Sequence, residues 1–186
     1  MGCQADFDLA CSPVPTVRFC GAGLVCSVRW NSSCRTCVGD PDVLLLDLAP
    51  GTGDMAISVA QALPNAELVV VTTPQPSASD VAVRSGLVAL QVPMKVRGVV
   101  ENMSWYEHKG ERLEIFGAGG GRRVSDQLTE TLGYDVPLLA QLPLDPDLRE
   151  VGESGRPAVL NEDGALRSDA LGRTFRELAE GLLRSE

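Results

Sequence analysis

Lysine is nearly absent. Of 16 basic residues only Lys95 and Lys109 are lysine, and neither is followed by Ser or Thr. The sequence therefore contains no Gly-Lys-Ser/Thr ending of a phosphate-binding loop. Cysteine is missing from everything after Cys37. All six, Cys3, Cys11, Cys20, Cys26, Cys34 and Cys37, lie in the head of the chain. No apolar run approaches the ~20 residues that a membrane helix needs. The N-terminus has no basic patch leading into an apolar stretch with a small-residue cleavage site, so no secretion signal is expected. The expected location is cytoplasmic, with no membrane partner. Positive charge is short as well. The net charge of −9 argues against a nucleic-acid-binding surface, though a locally positive site could still hold a phosphorylated small molecule. The preference for arginine over lysine points to a GC-rich gene.

What is present fits a folded chain. A length of 186 residues suggests one domain. The hydrophobic fraction of 44% and mean hydropathy of +0.05 are those of a globular protein. Residues 1–40 show no sustained helical or strand period and are expected to be irregular. From Pro41 the character changes. Val43 to Leu48 is a continuous apolar run, broken only by Asp47 and ended by Pro50-Gly51-Thr52-Gly53, as in a strand buried on both faces. A helical pattern follows with Met55, Val59 and Leu63. Leu68–Val71 and Val96–Val100 read as further buried strands. Between them Ala78–Leu90 suits a helix, with Ser77 or Ser79 available as cap. Trp105–Phe116 is a polar loop or small hairpin. Glycines 117 and 119–121 precede a helix carrying Val124, Leu128 and Leu132. Leu138–Leu142 is another strand, Pro146–Glu153 a short helix, and Leu171, Phe175, Leu178 and Leu182 mark a closing amphipathic helix.

Strands that alternate with helices and are almost wholly apolar predict a parallel sheet covered on both faces. In such sheets ligands sit beyond the carboxyl ends of the strands. Asp47, at the end of an apolar strand, suits a magnesium-holding carboxylate, directly or through water. Gly51, Thr52 and Gly53 permit a tight, movable loop, and Asp54 either belongs to that loop or caps the next helix. Asn102, after the third apolar run, can both donate to and accept from a base edge, or can cap a turn. Pro143 and Asp145 could wrap the base. Alternatively Asp145 caps a helix that has Pro146 at its first position. The glycine run Gly117–Gly121 lacks the lysine of a phosphate loop and is expected to form a flexible helix start.

These motifs occur in a telling order. Asp47–Asp54, Thr72-Thr73-Pro74-Gln75, Val100-Glu101-Asn102-Met103-Ser104, Ile115-Phe116-Gly117-Ala118-Gly119-Gly120-Gly121 and Leu142-Pro143-Leu144-Asp145-Pro146 together closely resemble the Mrp-type iron–sulfur cluster carrier ATPases, relatives of MinD and ParA. The resemblance runs from about Pro41 to the C-terminus. It implies a three-layer α/β fold of the P-loop NTPase type, with ATP and magnesium as cofactors and slow ATP hydrolysis. It also implies a homodimer that carries a labile iron–sulfur cluster and passes it to apo-proteins. By that resemblance Asp47 serves the magnesium site, Gly51 to Asp54, including Thr52, form a switch loop, and Asn102 faces the adenine.

The sequence departs from the family pattern in places. The Gly-rich phosphate loop is missing, so the sheet is expected to be incomplete at its N-terminal side and the chain to be a fragment that does not hydrolyse ATP alone. A sheet lacking that strand exposes unpaired edges, which predicts poor solubility. Many members carry a Cys-x-x-Cys pair after Asn-Met-Ser. Here the region reads Trp105 to Gly110 without cysteine, as in actinobacterial members. Ala49 replaces a common proline. The head keeps one Cys-x-x-Cys, Cys34 and Cys37, with metal-ligand spacing. A non-enzymatic metal- or partner-binding module built on those cysteines is the alternative. A disulfide framework is a further reading, without a secretory signal to support it. Finally, a frame shifted by one base can spell Val-Glu-Gln-Phe-Leu-Pro-Asp-Val in place of Trp30–Cys37. That is an amphipathic helix ending, so out-of-frame translation of residues 1–40 is the favoured expectation.

Overall fold

The computed structural model describes residues 23–29 (backbone only), 43–48, 57, 59, 63, 66–92, 94–146, 148, 157, 159–161 and 163–184. The elements, in chain order, are β1 (Gly23–Arg29), β2 (Val43–Leu48), β3 (Glu67–Thr72), α1 (Pro76–Gly86, continued by a 3-10 turn over Leu87–Leu90), β4 (Lys95–Glu101), β5 (Tyr106–His108), β6 (Glu111–Leu113), α2 (Gly120–Leu132), β7 (Leu138–Gln141) and α3 (Ala170–Leu183). Ile57 and Val59, between β2 and β3, are also helical.

The main sheet has the order β2-β1-β3-β4-β7. β3 pairs in parallel with β4, and β4 with β7. β1 lies between β2 and β3 and runs antiparallel to both, so β2 shares the direction of β3. The expected α/β class and parallel arrangement hold for these four strands. Two expectations change. The head is not irregular throughout, because Gly23–Arg29 is a strand. That strand pairs with β3 on the side away from β4 and satisfies backbone N–H and C=O groups that burial would otherwise orphan. β2 also differs from its sequence reading. It lies at the sheet's edge and is only partly covered, with Leu45 37% exposed.

β3 is the centre of the core. Leu68, Val69, Val70 and Val71 are all essentially buried, each such side chain stabilising by about 1.5–3 kcal/mol. Alternation divides them between two layers. Leu68 and Val70 join Ala82 of α1 and Val124 and Leu128 of α2. Val69 and Val71 join Leu178 and Phe175 of α3 on the opposite face. β4 keeps the same division through a bulge. Leu68 pairs with Val96 but Val69 with Gly98, so Arg97 is the extra residue. Val99 then shares the face of its partner Val70, and Val100 that of Val71. Gly98 is required by β7, since a Cβ there would lie 2.5 Å from Leu139 Cγ and 2.7 Å from the Pro137 carbonyl oxygen.

The helices start and stop for local reasons. α1 begins at Pro76, whose missing N–H costs nothing in the first turn. Its N-cap is Gln75, not a serine. Ser79 lies inside the helix, buried, and its hydroxyl donates back to the Gln75 carbonyl at 3.2 Å. α2 ends at Gly133 in the left-handed conformation, whose N–H donates to Thr129 O at 3.1 Å. Between β5 and β6, Lys109 (φ 51°) and Gly110 (φ 82°) form the two-residue turn of the expected small hairpin.

α3 is capped by Asp169, whose Oδ1 accepts from Gly172 N–H at 2.8 Å. That hydrogen bond, with the Arg167 guanidinium adding to it and burial opposing, holds the carboxyl below the usual aspartate range. A depressed folded pKa stabilises above the unfolded value and is lost as pH falls through the folded one. Asp169→Ala should cost about 1 kcal/mol at neutral pH. In denaturant titrations at several pH values, the gap to wild type should close as pH drops below about 4. A gap that persists undiminished in acid would show that the cap acts without its charge.

Candidate functional site

The carboxyl ends of β2, β3, β4 and β7 share one edge of the sheet, and all the singled-out residues that are described lie along it. The chain leaves β3 through Thr72 and Thr73, both buried, into Pro74. It leaves β4 through Glu101 and Asn102. The two exits are joined by a hydrogen bond from Asn102 N–H to Thr72 O at 2.8 Å.

Beyond the end of β4 the pairing with β7 does not stop. Leu142 N–H donates to Glu101 O (2.8 Å), Ser104 N–H to Leu142 O (2.9 Å), and Leu144 N–H to Trp105 O (2.7 Å). The Asn-Met-Ser and Leu-Pro-Leu-Asp-Pro motifs are thus zipped together past the strands. Asn102 is 9% exposed, and Pro143 and Asp145 are partly buried in the facing segment. Met103 takes the left-handed conformation at φ 57°, strained for a side-chain-bearing residue and persisting only where the surroundings over-determine it. The Asn102 Oδ1 accepts from Met103 N–H at 2.9 Å, and Ser104 Oγ donates to Glu101 O at 3.1 Å. These bonds close the turn and orient the Asn102 amide. Pro146 is the first helical residue, and Leu148 N–H donates to Asp145 O at 3.2 Å. The capped-helix reading of Asp145 and Pro146 therefore describes their backbone, while the ladder sets Leu142–Leu144 against Glu101–Trp105.

Asp47 is exposed, one residue from the end of β2, and interacts with a neighbour. β1 and β3 separate its strand from β4, a lateral distance of about 14 Å at ~4.8 Å per strand. The structure sets Pro143 in the segment facing Asn102, with Asp145 just past the end of that pairing, and leaves Asp47 apart on the same edge. Gly51, Thr52, Asp54, Cys34 and Cys37 lie outside the described residues. Among the described residues no three His, Cys, Asp or Glu side chains cluster as a metal site.

Glycines 119–121 prove to be more than a flexible helix start. Gly119 is the N-cap of α2, at φ 77°. A Cβ on Gly120 would lie 2.6 Å from Thr73 O, and one on Gly121 would lie 2.7 Å from Glu101 Cβ. The helix start is pressed onto the ends of β3 and β4. Glu101, 1% exposed, places Oε2 on the Gly121 N–H at 2.5 Å and accepts from Gln141 Nε2 at Oε1, 2.7 Å away. The first turn of α2 thus meets a side-chain carboxyl group of the chain itself.

Sequence reasoning passed over two residues. Glu101 entered only as a member of the Val100–Ser104 motif, without a role of its own. Thr73 is 8% exposed, and its Oγ1 has no partner among the described residues. A buried hydroxyl without a partner is uncommon, and this one lies on the same edge. The neighbouring hairpin contributes Trp105, under the Arg112 guanidinium at 4.4 Å, and a Tyr106–His108 stack with centroids 6.2 Å apart.

Helices on both faces of a predominantly parallel sheet, with polar motifs gathered at its carboxyl edge, define the class: a three-layer α/β domain. A family model described as ParA, NUBPL iron-transfer P-loop NTPase, matches residues 31–181, and the chain belongs to that family. It is 54% identical over 145 residues to the iron–sulfur cluster carrier protein of Mycobacterium bovis, covering 77% of this chain and 37% of the relative. To the Bacillus subtilis protein of the same name it is 37% identical over 145 residues, covering 76% and 38%. The chain thus spans well under half the length of these relatives. The greater likeness to the mycobacterial protein accords with the actinobacterial resemblance. A solved nucleotide-binding protein of Archaeoglobus fulgidus, in complex with ADP, is 32% identical, covering 60% of this chain and 44% of that one, with a TM-score of 0.47.

Close approach at the α2 start makes a direct prediction. Gly121→Ala should destabilise by about 1–3 kcal/mol through overpacking against Glu101 and Leu138. Gly181→Ala, in α3 with open space around it, should stabilise by about 0.5–1 kcal/mol. Equal effects in urea unfolding would contradict the contact.

Proposed function

We propose that this chain supplies the base-side wall and the magnesium carboxylate of an ATP-binding iron–sulfur cluster carrier. The observation that carries the reading is the hydrogen-bonded ladder joining Asn102–Trp105 to Leu142–Leu144 beyond the ends of β4 and β7. It makes a walled edge in which an amide is held by its own turn. An adenine edge offers both an acceptor and a donor, and an Asn amide complements such a pair.

Asp47 would hold magnesium, directly or through a water, and the ion would offset the charge of the nucleotide's phosphates. Gly51, Thr52 and Asp54 would follow it as a loop that responds to those phosphates. In this reading the whole protein is a cytoplasmic homodimeric ATPase that passes clusters to apo-proteins, and this chain corresponds to its C-terminal part. The cluster is cargo. The hairpin beside the site has no cysteine, so Cys34 and Cys37 are the candidate ligands within this sequence. The backbone N–H groups and lysine of a phosphate loop would ordinarily carry most of the grip on a triphosphate. Their motif is absent here, and the chain alone is therefore expected to turn over little or no ATP.

Calorimetry with MgATP should give an affinity no better than about millimolar, some 4 kcal/mol of binding. Tight, magnesium-dependent binding would mean that the phosphates are held without that loop. Adenosine titrated into isotopically labelled chain should move the amide resonances of Asn102, Met103 and Ser104, and Asn102→Ala should abolish the response. Shifts confined to other segments would overturn the base assignment.

A further inference from the structure

Glu101 takes no part in the reading above, yet its placement is unusual. It is a carboxyl group 1% exposed at the end of a central strand, and both of its oxygens accept hydrogen bonds. Oε2 meets the first turn of α2 at Gly121 N–H (2.5 Å), and Oε1 meets Gln141 Nε2 of β7 (2.7 Å). Its backbone carbonyl accepts from Leu142 N–H (2.8 Å) and from Ser104 Oγ (3.1 Å). No ion-pair partner for it is present among the described residues. The partial positive charge of the α2 N-terminus provides the compensation instead. One residue therefore ties together α2, β7 and the loops that follow β4 and β7. The next residue along the chain is Asn102.

A tie that only held the layers together could use any group that fills the space. This one uses a group that costs stability when buried unless every oxygen is served, and it is served from two elements. Both bonds converge on the base of the Asn102–Ser104 turn, where Met103 is strained. We propose that Glu101 is a positioning residue for base recognition. It clamps the start of α2 and the end of β7 against β4, and so holds the turn in the shape that presents the Asn102 amide to the ligand. The proposal rests on Asn102 being the base-contacting residue.

The test uses the full chain and adenosine as probe, reading the initial slope of the Asn102–Ser104 amide shifts against adenosine concentration. Glu101→Gln keeps an acceptor for Gly121 N–H, and Gln141 can turn its amide to match, so affinity should stay within about twofold of wild type. Glu101→Leu fills the space without the bonds and should weaken adenosine roughly five- to tenfold. Val99→Ala, a core truncation away from the turn, should lower the melting temperature and leave adenosine affinity unchanged. Should Glu101→Leu fail to fold, Gln141→Leu removes one bond at the surface. It should weaken adenosine about twofold or more and speed hydrogen exchange at the Met103 amide. A folded Glu101→Leu with wild-type affinity, or a Gln141→Leu variant with neither change, overturns the clamp while leaving the base assignment standing. No response from the wild-type chain at Asn102–Ser104 overturns both.

Discussion

Backbone groups at the buried carboxyl ends of parallel strands must find partners where the sheet stops, and the rest of this molecule's working edge follows from how they do so. Within the sheet each N–H and C=O is paired by its neighbour. One residue beyond, those groups would be orphaned in a site from which water is largely excluded, at a cost of about 1–3 kcal/mol each. Here the pairing is prolonged. Thr72 O takes Asn102 N–H, and Glu101 O, Leu142 O and Trp105 O take N–H groups from the facing segments. The extension fixes the path of both loops, and with it the positions of Asn102, Pro143 and Asp145.

The same constraint accounts for the glycines. For α2 to deliver the Gly121 N–H of its first turn to the carboxyl group of Glu101 on β4, the helix axis must come within backbone contact of the strand ends. Gly120 meets the carbonyl of Thr73, and Gly121 meets Cβ of Glu101. Any side chain would hold the helix off by an ångström or more and break the Gly121–Glu101 bond. Gly98 does the corresponding work on the other side, letting β7 lie against the bulge of β4. Close packing and hydrogen bonding are therefore one arrangement. Glycine allows the approach, and the carboxylate uses it.

Two layers of apolar contact hold that edge rigid from behind. α1 and α2 cover one face through Ala82, Val124 and Leu128, and α3 covers the other through Phe175 and Leu178. Arg97, displaced by the bulge, reaches the carbonyl groups of Gly181 and Arg184 at the end of α3 and lies 4.0 Å from Glu67. It thereby satisfies two carbonyl groups at the C-terminal end of α3. The core thus defines where the strands end, and the polar edge is built at those ends.

Much of this was legible in the residues because the physics was local. Leu68–Val71 announces a buried strand by its unbroken apolarity, and Val96–Val100 by its valines despite Arg97. Val124 and Leu128, and Leu171, Phe175 and Leu178, announce helical faces by spacing. The amide and carboxylates that follow the strands were legible because parallel sheets present ligands at that edge. Local pattern could not settle which strand stands beside which. The antiparallel insertion of Gly23–Arg29, the edge position of β2 and the resulting separation of Asp47 from Asn102 all depend on sheet order, which no single segment encodes. Nor could it show that Glu101 meets a helix 20 residues later and a strand 40 residues later. Those bonds join segments remote along the chain, and their geometry exists only once the layers have packed. Local periodicity determined the elements and the chemistry at their ends, and long-range packing decided which of those ends became one site.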